Sequence, residues 1–280
     1  KLLLALPKGG LAILNGDDSQ ARKMNQGVKA KSVFYGTNPK DDFYAKKIKV
    51  DFQGTSFVLV CQPGKEKQEL KMTTGLVGRH FVQACLAATA VGLNQGLTIG
   101  QIQKALAKIR PLPGRLSLEK GPKGTILLND FLRANPASTL AGLQTLTDLP
   151  TGGKRVAVLG EMGELGDSAQ KEHQKVGQKV ADLGIDFFLG IGPLQKLAIQ
   201  QALKSGMKKE QVFWASDVVV ATKILKKILK KGDLFYLKGS RLRHLERILL
   251  LLEGKKVGCR VVSCRFYHHC ESCSYLLSGL

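Results

Sequence analysis

The 280-residue sequence has few aromatic and few acidic side chains. Phe, Tyr and Trp make up 6% of the residues, and 43 lysines and arginines outnumber 22 acidic residues. So few aromatic rings provide no evident stacking platform for single-stranded nucleic acid. We therefore attribute the net charge of +21 to a lysine-rich solvated surface, and keep a basic nucleic-acid-binding protein as an alternative.

Long apolar runs are also missing. The opening segment 1–7 is too short for a secretory signal core or a membrane span, so we expect a chain without a membrane span. Its first residue is Lys1 rather than Met, and it resembles the end of a helix. We expect an N-terminally truncated chain.

Two phosphate-binding motifs are absent. The sequence contains neither G-x-x-x-x-G-K-[ST] nor a G-x-G-x-x-G following a predicted strand. Nothing in the chain is therefore expected to hold a triphosphate and magnesium firmly.

Cysteine is scarce except near the end of the chain. Cys61 and Cys85 stand alone in apolar runs and are typical of core thiols, whereas four cysteines crowd the segment 254–280. Cys270 and Cys273 have a zinc-like spacing, but Cys259 and Cys264 are further apart than in a usual zinc knuckle. We assign no metal ligands, and expect 254–280 to lie outside the fold.

The most informative motif is an acidic, glycine-rich turn that follows the apolar run 156–159. A predicted strand, this turn and a predicted helix form the unit of a parallel α/β sheet, which places ligands at the carboxyl ends of its strands. The turn carries Glu161, Glu164 and Asp167. Three carboxylates would repel phosphate, so they favour a cationic ligand such as the ammonium group of an amino acid or dipeptide.

Strands and helices alternate after the predicted linker 150–153, with a last helix predicted over 242–252. This pattern predicts a parallel sheet covered by helices over 154–253. Before the linker, residues 1–150 show mixed strands and helices that predict a separate domain.

Two further motifs combine charge with predicted strand ends. Lys238-Gly-Ser240-Arg241 ends a strand and opens a helix, which suits an anion site or simply a capped helix with a basic turn. Arg115 and Asp130 pair a phosphate-binding cation with a carboxylate that could accept from ribose hydroxyls, or form a structural salt bridge.

Taken in order, these motifs resemble the Mur ligase family over roughly 1–253. The matching segments are Asn15-Gly-Asp-Asp18, Gly78-Arg-His80, Pro113-Gly-Arg-Leu116, Asn129-Asp130, Ala134-Asn-Pro-Ala-Ser138, Val158-Leu-Gly-Glu-Met-Gly-Glu-Leu-Gly166 and Lys238-Gly-Ser-Arg241. The resemblance implies an α/β fold. Residues 1–150 would be the second half of the central ATPase-type domain, without its P-loop, and 154–253 a Rossmann-like C-terminal domain.

The resemblance also implies roles for individual residues. His80, Arg115 and Asp130 match nucleotide-binding positions. Substrate-binding positions would be Asn135, Glu161, Glu164, Lys238, Ser240 and Arg241. Catalytic residues are not assigned.

The implied function is ATP-dependent amide ligation in peptidoglycan precursor synthesis, in the bacterial cytoplasm. Among the family's reactions, the motifs most resemble those of enzymes that add D-alanyl-D-alanine to a UDP-N-acetylmuramoyl tripeptide through an acyl-phosphate. ATP and Mg²⁺ would serve the intact enzyme, a monomer acting on small molecules, and the chain alone would be inactive. The chain carries Phe81 and Ala84 where the family usually has Asn. A non-catalytic homologue acting as a binding module is therefore the alternative.

Overall fold

The computed structural model of the chain describes residues 2–61 and 67–278. These residues form two compact units, Lys1–Arg110 and Pro111–Leu280. No helix in the described part of the chain is long and apolar enough to cross a membrane.

The first unit contains a five-stranded sheet in the order β1-β2-β3-β4-β5. Strands β1 to β3 run parallel, whereas β3 to β5 pair antiparallel. Helices α2 and α3 pack on the sheet through an apolar core that includes Leu59, Met72 and Leu86. The elements are β1 (Leu11–Asn15), α1 (Ser19–Met24), β2 (Lys31–Gly36), β3 (Phe43–Asp51), β4 (Gly54–Cys61), β5 (Gln68–Thr74), α2 (Phe81–Asn94) and α3 (Ile99–Lys108).

The second unit contains a six-stranded sheet in the order β10-β9-β8-β11-β7-β6. The edge strand β6 pairs antiparallel with β7, and the other neighbouring strands pair in parallel. This arrangement confirms the predicted parallel α/β sheet. The elements are β6 (Ser117–Lys120), β7 (Ile126–Asp130), α4 (Pro136–Asp148), β8 (Arg155–Gly160), α5 (Ala169–Asp182), β9 (Phe187–Ile191), α6 (Gln195–Lys204), β10 (Val212–Ala215), α7 (Val218–Ile228), β11 (Leu234–Lys238) and α8 (Glu246–Leu252).

The boundary between the units differs from the predicted linker at 150–153. Strands β6 and β7 precede that linker, but they belong to the second sheet because β7 pairs with β11 in register, Leu234 with Ile126 through to Lys238 with Asp130. Hydrogen bonding to a strand far along the chain therefore moves the boundary to Arg110.

The last helix is shorter than its predicted range of 242–252. Residues Arg241–Arg243 form a 3₁₀ turn, and His244 has a left-handed backbone with φ 48°. Because L-residues rarely continue a helix through that conformation, α8 starts only at Glu246.

The segment 254–278 packs against α8, which differs from the expectation that it lies outside the fold. The guanidinium group of Arg247 is buried and donates to the carbonyls of Cys259 and Val261 at 3.0 and 2.7 Å. Cys259 and Cys270 are buried as well. The guanidinium group also donates to the carbonyls of Arg243 and His244, so the carbonyls of the C-terminal segment complete the partners of a buried cation and tie the segment to the second unit.

Candidate functional site

A cavity of about 570 Å³ lies in the second unit, where loops following β7, β8 and β11 meet. The carboxyl ends of neighbouring parallel strands converge at one edge of the sheet, as the general rule for ligand sites in such sheets requires. Five of the predicted site residues line this cavity together: Arg115, Asn135, Glu164, Ser240 and Arg241.

Four arginines face the cavity, and Glu164 is the one acidic residue lining it. Two of the arginines, Arg133 and Arg243, were not predicted from the sequence. The balance of charge favours an anionic ligand, because guanidinium groups bind carboxylates and phosphates through paired hydrogen bonds. This result differs from the expected preference for a cation, since the carboxylate of Glu161 does not face the cavity.

The guanidinium groups of Arg115 and Arg133 are free to bind a ligand. Both residues are exposed, and neither side chain forms a hydrogen bond or ion pair within the described part of the chain. Arg115 also lies near enough to Lys238 to lower the pKa of that amine further, beyond the larger effect of burial.

Arg241, in contrast, already has partners. Its Nε and Nη2 atoms donate to the carbonyl of Tyr267 at 3.1 and 3.0 Å, and its Nη1 atom lies 3.3 Å from Glu246 Oε1. Tyr267 lines the cavity too. The C-terminal segment thus contributes to the cavity wall and holds one of its four guanidinium groups.

Asp130 and Lys238 form a buried pair instead of facing the cavity. Lys238 Nζ donates to Asp130 Oδ2 and, at 2.9 Å, to the carbonyl of Arg133. Asp130 Oδ2 also accepts from the Tyr236 hydroxyl at 3.2 Å. Burial raises the pKa of Asp130 and lowers that of Lys238, while the attraction between the two groups opposes both shifts. The pair joins the ends of β7 and β11 and positions the loop that carries Arg133.

The acidic turn is held by an ion pair and by hydrogen bonds to neighbouring loops and to α5. Glu161 is only 4% exposed, pairs with Arg243 at 2.9 Å and accepts from the backbone N–H of Leu194 at 2.8 Å. His173 Nε2 accepts from the backbone N–H of Met162 at 3.1 Å. Glu161 is therefore a structural carboxylate in this turn.

The neutral imidazole ring of His173 holds the turn in place. Its Nδ1 atom lies 2.7 Å from the carbonyl of Ala169, which can only accept, so the proton resides on Nδ1 and the lone pair of Nε2 faces Met162. Burial lowers the pKa of His173, which keeps the ring neutral. Glu164, at the exposed end of the turn, has φ 61° and reaches the cavity.

His80 belongs to the first unit, where it precedes α2 and its ring lies 4.1 Å from that of Phe81. The first unit has its own cavity of about 460 Å³, lined by Lys31, Lys40 and Lys67 among others, and His80 does not line it. Five predicted residues thus line the cavity of the second unit, and His80 lies in the first unit. The other three, Asp130, Glu161 and Lys238, are buried.

Sequence families match both units of the chain. The family described as Mur ligase middle domain matches residues 1–92, and the one described as Mur ligase, glutamate ligase domain matches residues 114–241. The chain belongs to the Mur ligase family.

Relatives named UDP-N-acetylmuramoyl-tripeptide–D-alanyl-D-alanine ligase are similar to most of this chain. The Escherichia coli K12 protein is 31% identical over 256 residues, covering 90% of this chain and 54% of the relative. The Bacillus subtilis 168 protein is 27% identical over 249 residues, covering 89% and 52%. This Mur ligase chain therefore spans about half the length of the curated relatives it matches.

Solved structures agree with this assignment. MurF from Acinetobacter baumannii superposes with a TM-score of 0.76 at 25% identity, covering 88% of this chain and 52% of that structure. MurF from Thermotoga maritima in complex with ADP gives a TM-score of 0.73 at 21% identity, covering 91% and 55%, which supports the fold. The Mur ligase fold of this chain is thus mixed α/β with a largely parallel second sheet.

Proposed function

We propose that this chain is part of an ATP-dependent ligase that joins D-alanyl-D-alanine to a UDP-N-acetylmuramoyl tripeptide through an acyl-phosphate. The observation that carries the proposal is the arginine-lined cavity at the strand ends of a Mur ligase fold. The names of two similar relatives supply the substrates.

In this proposal, Arg115 and Arg133 bind the anionic groups of the substrates. Both are exposed and lack partners within the described residues, so no existing ion pair has to break when a ligand binds. The carboxylate of a dipeptide and an acyl-phosphate are both suited to guanidinium groups. Their role would be to orient the carboxylate end of the dipeptide and to stabilise negative charge that develops during the reaction.

Glu164 is the proposed partner of the incoming amine. It is the acidic group that lines the cavity, and its exposed position leaves the carboxylate accessible. A dipeptide in this cavity would place its ammonium group at Glu164 and its carboxylate at the arginines. Ser240 and Asn135 line the same wall and offer neutral hydrogen-bonding groups.

The nucleotide part of the site is only partly represented in this chain. The two free arginines suit phosphate groups, and the matching expectation from the sequence places Arg115 near the nucleotide. The 280 residues contain no G-x-x-x-x-G-K-[ST] motif, whose backbone N–H groups and lysine bind the phosphates of ATP. We therefore expect ATP turnover to require residues that this chain does not supply.

Calorimetry with D-alanyl-D-alanine tests the proposed binding site. We expect the purified chain to bind the dipeptide, and Arg115→Ala combined with Arg133→Ala to weaken binding at least about tenfold, because charge-assisted hydrogen bonds contribute about 1.5–3 kcal/mol each. Lys171→Ala combined with Lys204→Ala removes the same charge from exposed helix positions and serves as the control. Equal losses in both double variants would show that net charge, not this cavity, binds the dipeptide.

Ligation assays test the second part of the proposal. With ATP, Mg²⁺ and both substrates present, we expect no amide formation by this chain alone. Measurable ligation by the purified chain would contradict that expectation, because its 280 residues contain no Walker-type phosphate loop.

A non-catalytic binding module is the second candidate function. One observation favours it: the guanidinium group of Arg241, in the Lys238-Gly-Ser-Arg241 motif, already contacts Tyr267 and Glu246. A module of this kind would bind dipeptide but show no ATP binding even alongside the remaining part of a Mur ligase. ATP binding in that combined preparation would favour the ligase.

A further inference from the structure

A second group of reactive side chains lies beside α8, outside the arginine-lined cavity. His244, Glu246 and Cys270 are all buried, and one ligand atom from each lies within 4.8 Å of the others. Across residues 2–61 and 67–278, this is the one group of three or more such donors. The 3₁₀ turn before α8 supplies the histidine, α8 supplies the carboxylate, and the C-terminal segment supplies the thiol.

The hydrogen bonds of His244 direct one ring nitrogen into this group. Its Nε2 atom lies 2.8 Å from the carbonyl of Phe266, which can only accept, so Nε2 carries a proton. Its Nδ1 atom lies 2.9 Å from Glu246 Oε1. In the tautomer with its proton on Nε2, Nδ1 presents a lone pair to this carboxylate oxygen, and a cation between the two atoms would satisfy both. A backbone carbonyl that fixes the outer nitrogen is also the usual support of a metal-binding histidine.

Glu246 presents an oxygen that lacks a partner. Its Oε1 atom is near His244, Arg241 Nη1 at 3.3 Å and the backbone N–H of Cys270 at 3.3 Å. Its Oε2 atom is buried and has no hydrogen-bond partner among the described residues. The side chain as a whole is only 10% exposed. Leaving a buried carboxylate oxygen unpaired is unfavourable, and a bound cation would remove that cost.

The chemistry of the three donors selects the metal. A set of imidazole nitrogen, carboxylate oxygen and thiolate sulfur suits zinc, whereas magnesium and calcium prefer oxygen alone. The adjoining cavity, about 10 Å³ in volume, is too small for an organic ligand. The fourth position of a tetrahedral ion is open to water.

The charged groups around the three donors affect how well a cation binds there. Arg241 contacts Glu246, and Arg247 donates to the sulfur of Cys259 at 3.0 Å. These guanidinium groups oppose a cation. The Glu246 carboxylate and a metal-bound Cys270 thiolate offset the charge of the ion, since coordination to a metal deprotonates a thiol.

We propose that His244, Glu246 and Cys270 bind a Zn²⁺ ion that fastens the C-terminal segment to α8. The proposal does not depend on ligase activity. It assigns the clustered cysteines and histidines of 254–278 a structural role, which the sequence spacing alone did not favour.

Metal analysis of the full chain tests the site. The protein is incubated with Zn²⁺, dialysed against metal-free buffer and analysed for bound zinc; Co²⁺ then replaces Zn²⁺ to give thiolate-to-metal absorption. We expect one zinc per chain. Cys270→Ser should bind at least about tenfold more weakly, because even groups that only support a ligand contribute that much.

Two other cysteines provide matched controls. Cys264→Ser removes a thiol from the same segment, whose sulfur accepts from the Phe266 N–H at 3.5 Å, and Cys85→Ser removes a buried core thiol of the first unit. Both variants should keep their zinc. Equal losses in Cys264→Ser and Cys270→Ser would overturn the ligand assignment.

A near-isosteric variant distinguishes the loss of a metal ligand from the loss of the fold. Glu246→Gln keeps the size of the side chain, so circular dichroism should show an unchanged fold while zinc binding weakens. Zinc should also raise the unfolding midpoint of the unmodified chain but not that of this variant. The proposal fails if the folded chain retains no zinc, or if the urea-unfolded chain binds it equally well.

Discussion

The buried pair of Lys238 and Asp130 leads to a quantitative prediction. Lys238 is 2% exposed and Asp130 is 8% exposed. Lys238→Met keeps most of the side-chain volume but leaves the carboxylate with only the Tyr236 hydroxyl and the backbone N–H of Leu116, at 3.2 Å each. Removing one partner of a buried ion pair costs about 3–5 kcal/mol, because the remaining charge is isolated from water. We expect a loss of that size at pH 7.

Urea unfolding followed by tryptophan fluorescence measures this loss. The chain has a single tryptophan, Trp214, which lies in β10 of the second unit, so its signal reports the unit that contains the pair. With urea slopes of about 1–3 kcal/mol per molar, the midpoint should fall by at least about 1 M. Lys154→Met, at the exposed pair with Asp186, is the control and should change the midpoint far less.

The pH dependence gives the same prediction a second test. Burial already raises the pKa of Asp130, and removing Lys238 removes a group that lowers it. A carboxyl whose folded pKa exceeds the unfolded value of about 3.9 loses stability as the pH rises above that value. The deficit of Lys238→Met relative to the unmodified chain should therefore be smaller near pH 4 than at pH 7.

A double variant separates the charge from the shape. Asp130→Asn with Lys238→Met removes both charges. The amide oxygen can replace Oδ1 and accept from the Leu116 N–H, and the amide NH2 group in place of Oδ2 can donate to the Tyr236 hydroxyl oxygen. We expect it to be more stable than Lys238→Met alone. A loss below about 1 kcal/mol for the single variant, or a double variant less stable than that single variant, would refute the reasoning.

Three further predictions concern packing and pH. Gly177→Ala should destabilise the second unit by about 1–3 kcal/mol, because a new Cβ would lie 1.9 Å from the carbonyl of Ala198; urea unfolding followed at Trp214 measures it. Gly100→Ala should raise the free energy of unfolding by about 0.5–1 kcal/mol, because Gly100 lies in α3 and no atom lies within 4 Å of the new Cβ. Urea unfolding followed by circular dichroism measures this gain, and a destabilised variant would contradict the packing described. Burial lowers the pKa of His173, so the stability that the neutral ring contributes should be present above about pH 6.5 and be lost as the pH falls through the lowered pKa. Urea midpoints measured from pH 8 to pH 5 should show this loss in the unmodified chain, and His173→Gln should make it smaller.

Much of the second unit could be predicted because its elements are short and regular. Apolar runs such as 156–159 alternate with amphipathic helices, and the structure confirms β8 and α5 on either side of the acidic turn. The rule that parallel strands end at one edge then brings Glu164 and Ser240, which follow β8 and β11, to one cavity. Arg115 lies there for another reason: it precedes the antiparallel strand β6, whose first residue pairs with Asn129 near the end of β7.

Local patterns could not reveal which strands are neighbours. Strand β11 lies between β8 and β7, so the pairing that moved the unit boundary joins residues far apart in the chain. The same pairing buries Asp130 and Lys238 against each other, whereas the sequence suggested separate ligand-binding roles. A charged residue at a strand end indicates a site only when its partner is known.

Three residues that line the cavity were not predicted, and the sequence marks them to different degrees. Arg133 follows the end of β7 and Arg243 lies two positions after Arg241, so the strand-end rule could have included both. No local signal marks Tyr267, which reaches the cavity through the packing of the C-terminal segment on α8. Glu161 was misleading because its partner Arg243 comes from another loop.

The strand order of the second sheet has a consequence for how the chain folds during synthesis. Strand β11 occupies an interior position of the sheet but is the last of its strands to be made. Until it emerges from the ribosome, β7 and β8 each expose an unpaired edge, which is prone to non-native pairing. The nascent second unit would thus remain two separate sheet fragments, and a single late strand would join them into one cooperative structure.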